Sequence, residues 1–378
     1  MQNNNQKQNI LFIVPTLGRG GAETQLIDLV NAIDLIRFNK IIVAFDKNSE
    51  QLSRINSQTV DFYQYARASK YDISIFWKLA RLIDEKEIDV IHCTIQVSML
   101  VAQIAALLAK RKPKILVVIH TTVNVTKKYE LADRLLYRYL MRRCQCIIFV
   151  CRKQAEYWWE KYPELKALSQ VIYNGIDTDF FNRQAFIAQG DALKQQLGIP
   201  DSASVITCIA GFRIEKGHQY IIDAFARLPS DIYLLLAGDG VTKTLIEKQV
   251  KENQLANRVK FLGELADVRP VLAATDVTVL ASTAVETFSM AMLESMAMEV
   301  PMVATDIGGL SEAIIPGETG DLVPPKDIDA LVKALSYYVS NRDYAASIGA
   351  KARSLVIEKF SKKSMVQETE RVLLEAKH

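Results

Sequence analysis

A chain of 378 residues exceeds the length at which one hydrophobic core usually stops growing, so two domains of similar size are expected. With 49% apolar and 24% charged residues, and no stretch near the ~18 consecutive apolar residues of a membrane span, the composition excludes a disordered, fibrous or membrane-spanning chain. The net charge of +3 hides an asymmetry: residues 100–170 hold fourteen Lys or Arg against five Asp or Glu, so the remainder is acidic by six.

The first nine residues are polar and lack the order of a signal peptide. The five cysteines are odd in number, and Cys144-x-Cys146 has no usual zinc spacing, so a cytoplasmic protein is expected. Short apolar runs at 10–14, 41–45, 90–91, 115–119 and 147–150 read as strands buried on both faces. Between them, residues 21–33 set Leu26, Leu29, Val30 and Ile33 on one helical face. Alternating strand and helix predicts a parallel α/β sheet. The joining segment 171–177 contains Asn174-Gly175, which reads as a tight turn with positive backbone dihedrals. The pattern then restarts with strands at 205–210, 232–237, 259–262, 277–280 and 301–304, which predicts a second unit. Residues 361–378 predict a terminal helix.

Three segments carry candidate chemistry. Pro15-Thr16-Leu17-Gly18-Arg19-Gly20-Gly21-Ala22-Glu23 leaves a strand and opens a helix. Backbone at Gly20 and Gly21 could approach a ligand closely, and a helix N-terminus suits phosphate. Gly18-x-Gly20-x-x-Glu23 lacks the third glycine of the dinucleotide fingerprint, yet Asp46 stands near the expected place of a ribose-binding acid. A nicotinamide-dependent oxidoreductase is therefore one alternative.

Gly211-Phe212-Arg213-Ile214-Glu215-Lys216-Gly217 follows the first strand of the second unit, at the carboxyl edge where open parallel sheets bind ligands. Arg213 and Lys216 would hold a pyrophosphate there, the guanidinium by paired hydrogen bonds and the ammonium as a point charge. A solvated loop accounts for the two cations equally well. Glu286 and Glu294 flank Thr287, Phe288, Ser289 and Met290 after the strand 277–280. A helix starting just after Glu286 would place Glu294 about two turns on, a rise of at most ~12 Å, with N–H groups between the carboxylates. A sugar, a diphosphate and a ribose present that order. Acidic residues that merely favour the helix dipole are the plainer explanation. His120 ends the strand 115–119, where a ligand contact and a buried, hydrogen-bonded histidine are both open. His92 ends the strand 90–91 and, with Arg19, is a weaker candidate for contact with a second substrate. His218 and His378 read as incidental.

The order and spacing of Gly20-Gly21-Ala-Glu23, His120, Asn174-Gly175-Ile-Asp177, Arg213 with Lys216-Gly217, Gly238-Asp-Gly240, Glu286 to Glu294 and Ile307-Gly-Gly-Leu-Ser-Glu312 resemble the retaining glycosyltransferases of family 4, also called group 1, over nearly the whole chain. The resemblance implies the α/β fold named GT-B, two Rossmann-like domains with parallel sheets facing across a cleft. Residues 1–170 plus 361–378 would bind the acceptor, with the last helix returning to that domain, and residues 171–360 the nucleotide sugar. By the resemblance, Arg213 and Lys216 hold the donor diphosphate, Glu294 the ribose, and Glu286 the sugar hydroxyls. His120 contacts the donor sugar, and Gly20 and Gly21 border the donor. Cations there would stabilise the charge that grows on the leaving diphosphate.

No cofactor is expected beyond the nucleoside-diphosphate sugar as co-substrate, with UDP favoured over GDP. A sugar-nucleotide epimerase of related fold is the second alternative. Two positions depart from the family: Ser289 stands where glycine is common, and Thr121 follows His120 where glycine or aspartate is frequent. Asp177-Thr178-Asp179 and Asp327-Ile328-Asp329 imitate a metal-binding carboxylate pair, but the first belongs to a turn and the second to a helix start. No metal site is expected.

Lys127, Lys128, Arg134, Arg138, Arg142 and Arg143 interleave with Leu131, Leu135, Leu136, Tyr137, Tyr139, Leu140 and Met141, as in a basic amphipathic helix. Such a helix lies on an anionic lipid surface, or packs on the core with a solvated basic rim. The family's lipid-linked and glycan acceptors incline the reading to a peripheral place on the inner face of the cytoplasmic membrane, in bacterial polysaccharide or lipopolysaccharide synthesis. No reader motif for nucleic acid accompanies these bases, so no such partner is expected.

Overall fold

Short runs of Ile, Val and Leu, buried on both faces, build two separate parallel sheets. In the computed structural model, which describes residues 7–69, 72–122, 127–284 and 286–376, the chain divides into Met1–Gly175 with Lys362–His378, and Ile176–Ser361. The first unit holds strands β1 (Gln8–Val14), β2 (Phe38–Ala44), β3 (Val60–Gln64), β4 (Val90–Thr94), β5 (Lys114–Ile119), β6 (Cys146–Phe149) and β7 (Ser169–Val171), in the spatial order β3-β2-β1-β4-β5-β6-β7. Every pairing is parallel. On one face Leu11, Ile13, Ile91, Cys93, Val117 and Ile119 share a core with Ile75, Leu79, Met99 and Ala102 of the helices Ser74–Glu85 and Ile95–Leu108. The order reverses between β1 and β4, and such switch points open a crevice at the carboxyl edge.

The second unit repeats this plan with β8 (Ser204–Ile209), β9 (Ile232–Ala237), β10 (Val259–Gly263), β11 (Val277–Leu280), β12 (Met302–Thr305) and β13 (Gly320–Val323), in the order β10-β9-β8-β11-β12-β13. Its reversal lies between β8 and β11. The strands β3, β7 and β13, which no apolar run announces, are all edge strands. The exposed Asp61 and the half-exposed Gln170 and Asp321 interrupt their hydrophobic pattern.

The terminal helix Lys362–Glu375 belongs to the first unit. Glu370 pairs with Arg37 and accepts from the Asp34 amide at 2.8 Å, and Gln8 Nε2 donates to Leu373 O at 3.1 Å. The division between units falls at Ile176 rather than at 171, because β7 is paired to β6 and the following residues are held to the first unit. The Asn174-Gly175 step, expected as a tight turn, takes no positive φ. Gln25 satisfies the Gly175 backbone instead, its side-chain amide accepting from the N–H at 3.0 Å and donating to the carbonyl at 2.9 Å.

The basic segment forms helix at Lys127–Ala132, a wider turn at Asp133–Tyr137 and helix again at Arg138–Met141. Its apolar residues divide. Tyr137, Leu140 and Met141 pack on the core, whereas Leu131, Leu135, Leu136 and Tyr139 are exposed beside the exposed Arg134, Arg142 and Arg143. The side chains of Lys127 and Lys128 lie outside the described residues.

Candidate active site

At the β8/β11 switch point the chain leaves the second sheet through the loop that carries Arg213 and Lys216. The buried Phe212 anchors it, its amide bonded to Asp239 O at 2.9 Å, and Thr283 N donates to Glu215 O at 2.8 Å. Arg213 precedes a 3₁₀ turn at Ile214–Lys216 that ends in Gly217 at φ 66. A Cβ on Gly217 would lie 2.0 Å from Ala281 O, so only glycine lets the turn press against the end of β11. The turn brings Lys216 Nζ to 2.6 Å from Glu286 Oε2, with side-chain exposures of 14% and 7%. Ser282 Oγ donates to the same carboxylate oxygen at 2.8 Å. An ion pair this buried persists only where each charge is compensated, and here both are.

Glu286 is supported from behind by a feature that sequence reasoning did not connect to it. Gly308 has φ 55, and a Cβ there would stand 1.5 Å from Glu286 O, while Gly309 N donates to Thr287 O at 2.8 Å. The available signal was the Gly308-Gly309 pair after β12, since adjacent glycines permit such backbone contact.

The helix expected to begin just after Glu286 runs over Met290–Ala297. Ser289 is its N-cap, the hydroxyl accepting from Met292 N at 3.3 Å, so the residue that departs from the family's glycine ends the irregular segment and starts the helix. Glu286 therefore lies in the lead-in segment and only Glu294, half-buried, is helical; the rise argued for two carboxylates on one helix does not apply. Thr287 is buried, and so is Phe288, which packs edge-on against Phe360 at 5.1 Å.

Arg213 is 61% exposed, with its Nε 3.0 Å from Glu215 Oε1. Such an exposed pair contributes roughly 0–1 kcal/mol, so a diphosphate can displace it in favour of paired, charge-assisted bonds. His218 is not incidental to this loop. Its ring lies under Phe212 at 4.3 Å and 15°, and Nε2 is 3.9 Å from Cys208 Sγ. Burial pushes its pKa down to about 4, with Lys216 acting in the same direction, so it is a neutral floor to the loop.

In the first unit, Gly20 is the N-cap of the helix Gly21–Ala32, and the glycine-rich loop is tied back by Gln51 Nε2 to Gly18 O (2.6 Å) and Leu17 N to Asn48 O (2.9 Å). Arg19 stands half-exposed, 3.8 Å from Glu50. Asp46, the acid that would hold a ribose, is half-exposed with Arg67 at 3.7 Å. His120 follows β5 and is half-buried. His92 is not at the strand end: β4 runs on to Thr94, which leaves His92 3% exposed and out of direct reach of an acceptor. Both rings face one cavity of about 40 Å³. Burial pushes the pKa of each down to about 4, and His120 adds to the effect at His92, so both are neutral near pH 7.

The two aspartate pairs have structural roles. Asp177 Oδ1 accepts from the amides of Asp179 and Phe180 in a turn, Asp327 caps the helix Ile328–Ser340, and Asp329 pairs with Arg227.

Residues 190–355 match the family model described as glycosyl transferases group 1, and residues 19–180 the model described as glycosyltransferase family 4. The N-acetyl-alpha-D-glucosaminyl L-malate synthase of Bacillus anthracis is 27% identical over 317 residues, 83% of this chain and 82% of the relative. A lipopolysaccharide core biosynthesis mannosyltransferase of Rhizobium meliloti, LpsB, is 30% identical over 234 residues, 59% of this chain and 64% of the relative. Among solved structures, Anabaena HepE in complex with UDP-glucose superposes with a TM-score of 0.86 at 24% identity, over 97% of this chain and 99% of that one. A likeness this extensive shows the GT-B fold.

Proposed function

Because this chain belongs to glycosyltransferase family 4 and is a glycosyltransferase, we propose that it moves a sugar, with retention, from a nucleoside-diphosphate sugar onto a hydroxyl of a glycan or lipid-linked acceptor. The observation that carries the donor assignment is the Lys216–Glu286 pair beside Arg213 at the β8/β11 switch point. Arg213 and Lys216 hold the diphosphate, the amides at the start of the helix Met290–Ala297 assist them, Glu294 binds the ribose, and Glu286 meets sugar hydroxyls near the reacting carbon. As the glycosidic bond to phosphate breaks, negative charge accumulates on the leaving diphosphate. Fixed cations there act on the transition state more than on the ground state. They also supply the positive charge that a metal would, so the reaction proceeds without one. Retention follows from attack on the face that the diphosphate leaves.

UDP is the favoured carrier, since a structural neighbour was solved with UDP-glucose. His120 is assigned to the donor sugar, Gly20 and Gly21 to its border, and Arg19 to acceptor binding. A setting in bacterial polysaccharide or lipopolysaccharide synthesis is supported by relatives named for lipopolysaccharide core assembly. Among the described residues no helix is long and apolar enough to cross a membrane. The exposed Leu131, Leu135, Leu136 and Tyr139 among arginines fit peripheral contact with an anionic lipid surface.

Titration calorimetry of UDP and GDP without metal, into wild type and the Arg213→Ala and Glu294→Ala variants, tests the donor site. Binding of one nucleotide, weakened in both variants, is expected. Equal affinity in all three proteins, or no binding to wild type, defeats the assignment.

A further inference from the structure

We propose that His92 is a positioning residue for His120 and acts through buried water held, with the help of Thr94, in the cavity that the two histidines share. Both ring nitrogens of His92, and Thr94 Oγ1, are buried and have no hydrogen-bond partner among the described residues. His92 is 3% exposed and Thr94 2%. Two residues apart on β4, they point to the same face of the sheet, and that face also carries Val118 and His120.

A neutral imidazole has one N–H to donate and one lone pair to fill, and a buried polar group is costly to leave unpaired. Two other lining groups are engaged elsewhere. Gln25 commits its amide to Gly175, and Thr369 donates to Met365 O at 2.8 Å. The cavity of about 40 Å³ exceeds the roughly 10–15 Å³ that one water requires, and His92, Thr94 and His120 all line it. Water both donates and accepts, which is what a neutral histidine beside a threonine hydroxyl calls for.

The backbone at this place is also unusual. Thr94 is followed by Ile95 at φ 65, a conformation that a β-branched residue adopts only when its surroundings impose it. Thr94, which lines the cavity, immediately precedes this turn into the helix Ile95–Leu108.

The consequence concerns which nitrogen of His120 carries its proton. That choice is set by whatever the other nitrogen bonds to, and it decides whether the edge-facing nitrogen donates to or accepts from a sugar hydroxyl. The functional half of this proposal rests on the reading that His120 meets the donor sugar. Its structural half does not.

The test uses the full chain as wild type, His92→Phe and Thr94→Val, the second being nearly isosteric and lacking only the hydroxyl. Long-range proton–nitrogen NMR of the imidazoles reads the His120 tautomer. Calorimetry with UDP or GDP reads donor-site integrity, and transfer assays read kcat and KM. Expected are a changed His120 tautomer ratio in both variants, nucleotide affinity as in wild type, and kcat lowered about tenfold with donor KM unchanged. A high-resolution crystal structure should show water within hydrogen-bond distance of a His92 ring nitrogen. An unchanged His120 tautomer in folded Thr94→Val, or a dry cavity, overturns the proposal. If wild type binds no nucleotide, the donor reading fails, while the tautomer shift still decides the link between the histidines.

Discussion

Replacing Gly308 by alanine should disable the donor site without touching a charged residue. The new Cβ would lie 1.5 Å from Glu286 O, whereas ordinary contact begins near 3.4 Å. One of the two segments must retreat by about 2 Å to restore van der Waals separation. An L-residue at φ 55 adds roughly 1–2 kcal/mol of backbone strain. The adjacent bond from Gly309 N to Thr287 O is lost with the retreat, for roughly 0.5–1.5 kcal/mol more. The second unit should therefore lose about 1.5–3.5 kcal/mol of stability. A shift of about 1 Å in a reacting geometry can cost ~100-fold, so kcat/KM should fall at least that far.

Gly198→Ala provides the control. Its φ is 68, yet nothing stands within 4 Å of the added Cβ, so it carries the strain without the collision. Stability must be read by hydrogen exchange in peptides covering β8 and β11, because Trp77, Trp158 and Trp159 all lie in the first unit and their fluorescence does not report on the second. If Gly308→Ala proves no more costly than Gly198→Ala and turns over like wild type, the support assigned to Gly308 is wrong.

Lys216→Met leaves a nearly buried carboxylate with Ser282 as its one remaining side-chain partner among the described residues and should destabilise the second unit by about 3 kcal/mol. Adding Glu286→Gln should recover much of that, and a double-mutant cycle with zero coupling would contradict the pairing. Ile95→Gly should be more stable than Ile95→Ala by about 0.5–1 kcal/mol, since glycine relieves the left-handed strain and alanine does not. The opposite order in urea denaturation, followed by tryptophan fluorescence, would argue against strain there.

The pH dependence has a definite sign. His92 has a pKa of about 4 when folded, below its ordinary 6.5, so the unfolded chain binds its proton first as pH falls. The contribution is complete above pH 6.5 and is lost as pH falls through about 4, amounting to roughly 3–4 kcal/mol. His92→Phe should flatten the decline of first-unit stability over that interval, and an unchanged slope would refute the linkage.

The motif-bearing loops were legible because their chemistry is local. Arg213 and Lys216, three residues apart after a buried strand, land on one loop whatever the rest of the chain does. Glu286 was recognised as a site residue, but its surroundings were not, because Ser282, Lys216 and Gly308 converge on it from separate segments. The helix start was misplaced because the loop residues 287–289 and the helix that follows are similar in composition. The bonds from Met292 N to Ser289 Oγ and from Leu293 N to Ser289 O mark where the helix begins. His92 was assigned to an edge because apolar content fell after Ile91, although β4 continues through His92, Cys93 and Thr94, all buried.

The sequence by itself determined that two parallel α/β units exist, which segments form their central strands and which loops bear the cations and carboxylates, because hydrophobic periodicity and glycine placement act over a few residues. Only the tertiary structure decided that Lys216 reaches Glu286, that Gly308 lies behind it, that Gln25 replaces a turn at Gly175, and that His92 and His120 share a cavity. Each of these depends on the distance between segments far apart in the chain, and that distance is set by how whole sheets and helices pack.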